Sequence, residues 1–123
     1  MKRLLALALL LTPLWASPVQ AMTVQEFLTQ ASRIPRNPTA LLRSDTRRLM
    51  NEINAAFKAV GDEQKAAQAA GRRPATCVPE GQRVRVSPDL LLAKFNAIPP
   101  ARRNISVKQA VQEWMAADYP CTN

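Results

Sequence analysis

Between about Ser44 and Ala70 one stretch of sequence sets the architecture. Leu49, Ile53, Ala56, Phe57 and Val60 recur there at three- and four-residue spacing and form a single apolar stripe, the mark of a long helix that serves as the spine of a fold. On its outer side Arg48 precedes Glu52, and Lys58 precedes Asp62, by four residues, which suits exposed ion pairs. The last third, Glu63 to Ala70, is alanine-rich and lacks bulky apolar anchors. It is helical by propensity more than by burial and is expected to fray or project into solvent. Gly71 is placed to end the helix, and Arg72-Arg73-Pro74 continues as a loop.

Shorter helices flank this spine. Thr23-Val24-Gln25-Glu26 reads as a capping box, and Val24, Phe27, Leu28 and Ala31 follow at helical spacing until Pro35 stops the run. Arg36-Asn37-Pro38 is a turn, and Thr39 to Arg43 fits a single helical turn. Beyond the spine, Pro79-Glu80-Gly81 signals a turn, and Arg83-Val84-Arg85-Val86 alternates too briefly for more than a short extended piece. Ser87-Pro88-Asp89 is a strong helix start whose helix ends at Ile98-Pro99-Pro100. After the loop Ala101 to Asn104, Ser106-Val107-Lys108-Gln109 reads as a second capping box. In the final helix Val107, Ala110, Val111, Trp114 and Met115 share one face, and Tyr119-Pro120 closes it. The expected fold is all-α, a small bundle of about four helices.

Where the chain works is written at its start. Lys2 and Arg3, the apolar run Leu4 to Leu11 and the small-residue site Val19-Gln20-Ala21 form a secretory signal, expected to be cleaved after Ala21. Thr12, Pro13, Ser17 and Pro18 interrupt the run before it reaches the length of a membrane span, so no stable anchor is expected after cleavage. Residues 22–123 then form one domain, in the periplasm or outside the cell. In that oxidising setting the two cysteines, Cys77 and Cys121, read as a disulfide, and a lone pair allows only one intramolecular pairing. The loop so closed is worth roughly 4 kcal/mol in the chain-entropy model.

The leader holds two of the 17 basic residues and none of the nine acidic ones, so the mature chain carries 15 against nine, a net +6. Such a charge favours anionic partners. Nucleic acid is not expected among them, because the basic residues are not interleaved with aromatics as a stacking platform requires. The chain has no histidine, which removes the Ser-His-Asp triad, the Cys-His pair and histidine-based metal sites. Its three glycines are isolated, so there is no phosphate-binding loop. The carboxylates mostly stand at helix starts and on polar faces, and no enzyme, metal or cofactor is expected. Trp114 reads as a core residue, with a binding anchor as the alternative. Arg72, Arg73, Arg83, Arg85, Arg102 and Arg103 read either as solvated loop charge or as a basic rim for an acidic partner.

From Cys77-Val78-Pro79-Glu80-Gly81, through the helix Asp89 to Phe95, the loop Ile98-Pro99-Pro100-Ala101-Arg102-Arg103 and the helix around Trp114, to Tyr119-Pro120-Cys121, the chain resembles the Rap/Tai family of immunity proteins. The resemblance covers about residues 77–121. Upstream, Ala56-Phe57-Lys58-Ala59-Val60-Gly61 stands where that family has an extra cysteine and a glycine-aromatic helix. Members are small exported helical proteins that block peptidoglycan amidase effectors delivered by type VI secretion, often as dimers. The resemblance thus implies a periplasmic binding protein, with a homodimer left open, that occludes an effector's active-site cleft. Arg83, Arg85, Pro99, Pro100, Arg102 and Arg103 are the candidate contacts. The alternative is a small structural or chaperone-like envelope protein with the same helical frame and no toxin partner.

Overall fold

The computed structural model describes residues 21–122, so the expected leader, apart from Ala21, lies outside the described residues. Among the described residues four α-helices make up the fold: α1 (Val24–Ala31), α2 (Ser44–Ala69), α3 (Pro88–Asn96) and α4 (Val107–Asp118). Two short 3-10 turns, Pro38–Leu42 and Pro100–Arg102, precede α2 and α4. Among the described residues there is no strand, only an isolated antiparallel bridge between Thr23 and Ser106.

The starts of α1, α3 and α4 are capped by side chains, whereas that of α2, at Arg43, has no side-chain cap. Thr23 Oγ1 accepts the Glu26 amide at 3.1 Å while the Glu26 carboxylate accepts the Thr23 amide at 3.4 Å, completing the expected box. Asn37, Ser87 and Ser106 likewise accept the amides of Thr39, Leu90 and Gln109 at 3.0–3.1 Å. At Ser106 only this half of a capping box forms. At the other end of α2, Gly71 adopts φ +68°, and the amides of Gly71 and Arg72 donate to the carbonyls of Gln68 and Ala67, a Schellman closure. α1 stops at Ala31, four residues before the proline expected to end it, because the chain turns through Ser32 to Ile34 on hydrogen bonds to Leu28, Gln30 and Ala31.

The core is the meeting of the four apolar faces. All five α4 residues of the expected stripe are buried, as are Leu49, Ile53, Ala56 and Val60 of α2, Val24 and Phe27 of α1, and Leu91 and Phe95 of α3. Phe27 meets Phe95 edge-on with ring centres 5.2 Å apart, and Phe57 meets Trp114 at 5.5 Å. Trp114 is therefore a core residue. Its indole N–H donates to Asp118 at 2.8 Å, and Lys94 lies over its ring at 5.7 Å.

Two closures hold the bundle. At one end Val24 and Gln25 donate to the carbonyls of Ile105 and Arg103, and Val107 donates to Met22, each at 2.9 Å. At the other, Cys77 and Cys121 are bonded with their Cα atoms 4.9 Å apart, and the Cys77 amide donates to the Tyr119 carbonyl at 2.9 Å.

Two expectations about α2 are corrected. Its alanine-rich third does not project: Ala67 and Thr76 are buried where the returning segment packs, and Glu63 reaches α4 through Lys108 at 3.1 Å and Gln112 at 2.8 Å. Gln64 adds a two-point clamp, donating to the Val78 carbonyl and accepting the Val78 amide, both at 3.0 Å. Of the two ion pairs, Lys58–Asp62 forms at 2.7 Å, whereas Arg48 turns instead to Gln30 of α1 at 2.6 Å. The interhelix bond is available to Arg48 only because α1 folds alongside, which spacing within one helix does not reveal.

Candidate functional site

α2 packs mainly on α4 and hardly meets α3. The space left between them is an open groove of about 1420 Å³, with α1 and the turn after it forming one end and the segment 78–87 bridging one side. Its lining runs along α2 from Thr46 to Gln64, a span of about 27 Å at 1.5 Å per residue. Leu49, Ile53 and Leu91 form the floor, and Met50, Phe57 and Leu92 line the walls. Met50 is half exposed, and Leu41, at the mouth, is 69 % exposed. The buried hydroxyl of Thr46 lies in the same wall without a hydrogen-bond partner among the described residues.

The alternation at Arg83 to Val86 has a clear structural result. Val84 and Val86 turn inward, pack against the core and line the groove, while Arg83 and Arg85 are exposed. Neither arginine makes a side-chain hydrogen bond or ion pair among the described residues. The segment is fixed on both flanks, by the disulfide and the Gln64 clamp before it and by the Ser87 cap of α3 after it.

Pro99, Pro100, Arg102 and Arg103 lie at the other end of α3, separated from Arg83 and Arg85 by the helix itself, about 13 Å for nine residues. The candidate contacts therefore do not form one cluster. Pro99 and Pro100 are exposed at the tip of the 3-10 turn. Arg102 pairs with Glu113 of α4 at 2.9 Å. Arg103 donates to the carbonyls of Ile98 and Asn96, both at 3.0 Å, and so closes the C-terminal end of α3. Arg73 donates to the Cys121 carbonyl, joining the disulfide closure, and Arg72 is exposed. The groove itself is not legible in the sequence, since its lining residues carry the same apolar periodicity as core residues.

Around the groove, Arg36 of the turn after α1 meets Asp89 of α3 at 3.7 Å, both largely exposed. At the start of α2, Asp45 takes two hydrogen bonds from Arg43 at 3.0 and 2.8 Å, which hold its carboxyl below the ordinary aspartate value. Among the described residues no three His, Cys, Asp or Glu side chains gather as a metal site would require. Nor is any helix there long and apolar enough to cross a membrane.

Fold and site together define a small, disulfide-closed helical protein with an apolar groove and, beside it, an arginine-bearing segment tied at both flanks. No protein-family model matches the chain, and no curated protein or solved structure matches it significantly.

Proposed function

We propose that the protein is a non-catalytic, immunity-type binding protein of the periplasm that blocks a peptidoglycan amidase effector by occluding its active-site cleft. The observation that carries this reading is the segment Arg83 to Val86, held on both flanks and anchored by its valines, with two arginines that face solvent and have no ion-pair partner among the described residues. A pre-ordered charged segment binds without first having to be ordered and speeds encounter with an acidic cleft rim. The resemblance over residues 77–121 supports the family of target, and the disulfide fits an oxidising compartment. Steric blocking needs no catalytic residue, in keeping with a chain that has no histidine. An open apolar groove favours a partner surface over a purely structural role.

The test is co-expression with periplasm-targeted amidases encoded near the gene. Growth is expected to be rescued and the pair to co-purify, and Arg83→Glu with Arg85→Glu should slow association about tenfold. If no such amidase is neutralised or captured, the reading fails.

A further inference from the structure

Four features of the groove bear on what fills it. Its lining follows α2 for about 27 Å, and the apolar part of it, Leu49 to Val60, spans about 17 Å, about three helical turns. The helices that wall it, α2 and α3 with α1 at one end, keep their backbone hydrogen bonds to themselves and offer side chains only, and the non-helical segment 78–87 lines just one side. An occupant buried against them must satisfy its own backbone, which a helix does and an extended strand does not. Gly61 stands in mid-α2 on the groove wall, where a Cβ would meet no atom within 4 Å. Glycine in a helix interior is less stable than alanine, and nothing among the described residues requires it there; a backbone approaching closely from outside would.

The rim is basic. Arg36 lines the groove, and among residues that adjoin a lining residue in sequence without an ion-pair partner among the described residues, Arg33, Arg47, Arg83 and Arg85 outnumber Glu26 and Glu52. Asp89, already engaged by Arg36, is the one acidic side chain among the described lining residues. A second copy of this chain would set a basic rim against a basic rim, an unfavourable match, whereas an acidic partner complements it.

We propose that the groove is a docking site for an amphipathic helix of a protein partner, whose continuous apolar face is flanked by glutamate and aspartate. It deepens the inhibitor reading and rests on it in one respect, that the partner is a protein. Leucine and isoleucine side chains at helical spacing fill the floor between Leu49 and Leu91, the helix backbone passes over Gly61, and the acidic flanks meet the arginines of the rim.

The probe is a fluorescein-labelled synthetic peptide of about 18 residues, with leucines at i, i+3, i+4 and i+7 and glutamates on both flanks. Its twin carries lysine in place of glutamate. Anisotropy with the intact mature protein should give micromolar binding of the glutamate peptide and about tenfold weaker binding of the lysine peptide, with the gap narrowing at high salt. Met50→Glu, at a half-exposed position, should weaken the glutamate peptide about tenfold without changing the circular dichroism spectrum. Gly61→Leu should weaken it too, and Asp89→Asn should tighten it about twofold.

Equal affinity for the two peptides, or no binding of either, overturns the proposal. So does one-to-one binding of laurate without peptide binding, which gives the groove to a lipid. Concentration-dependent dimerisation abolished by Met50→Glu gives it to a second copy and overturns the proposal equally. The two readings fail separately. An amidase complex untouched by Met50→Glu, with no peptide binding, removes the groove and leaves the inhibitor; peptide binding as expected, with no amidase captured, does the reverse.

Discussion

Gln64 is the side chain on which the position of the returning segment turns. Its amide meets both backbone groups of Val78 at 3.0 Å in a partly buried setting, and Val78 follows directly on Cys77. Gln64→Ala leaves a partly buried donor and acceptor without partners, a loss of about 1–3 kcal/mol that urea denaturation should register. Gln64→Glu keeps the bond from the Val78 amide but sets a carboxylate against its carbonyl, so it should be no milder. Titration gives a second prediction at this scale. Asp45 and Asp62 are held below the ordinary aspartate value chiefly by hydrogen bonds from Arg43 and Lys58. A carboxyl whose pKa is lowered on folding contributes stability that is fully present above its unfolded value and is lost as pH falls through the folded one. With no histidine in the chain and both cysteines bonded, stability should be flat from about pH 5 to 7 and fall only below about 4. A thermal-melt series across pH tests this. A transition near pH 6 would show a titrating group that neither residue supplies.

Among the elements, α2 shows best which features are legible in a sequence. Its apolar stripe and its glycine end are local: the stripe needs only helical spacing, and the Schellman closure uses atoms within one turn of Gly71. Thr23, Ser87 and Ser106 were legible for the same reason, since each hydroxyl caps an amide three residues on. What the sequence hid in α2 depends on other elements. Arg48 finds Gln30, 18 residues away, rather than Glu52, and Ala67 is buried although alanine carries little apolar signal. The groove is hidden in the same way, because the pattern marks Met50 and Phe57 as apolar without saying whether a wall stands opposite. Gly61 supplies this scale's prediction. Gly61→Ala meets open space and improves helix propensity, so the free protein should gain about 0.5–1 kcal/mol, read as a raised Tm. A loss of stability would mean that the glycine serves the fold itself.

At the scale of the whole molecule, the bundle is shut at two places, and α4 keeps them apart. The backbone bonds of Met22, Val24 and Gln25 lie at its start, and the disulfide lies beyond its end, about 18 Å away for 12 residues. Sites so far apart with no shared partner act independently, to within about 0.5 kcal/mol. Thr23→Ala removes the cap at the first closure for about 1 kcal/mol. Replacing both cysteines with alanine frees the second, for about 4 kcal/mol if the loop entropy is fully expressed. Combined, the two losses should add. Gln64→Ala behaves differently, because the clamp and the disulfide hold the same segment. Once the cysteines are gone, Val78 can leave for water and Gln64 has less to hold, so the combined loss should fall short of the sum by about 1 kcal/mol. Urea denaturation of the six proteins (wild type, the three variants and the two combinations) decides the point. A shortfall in the Gln64 cycle beside additivity in the Thr23 cycle shows that the disulfide's role is to dock the segment bearing Arg83 and Arg85. Additivity in both shows that the segment stays docked without it, and places the hold on Val84 and Val86 instead.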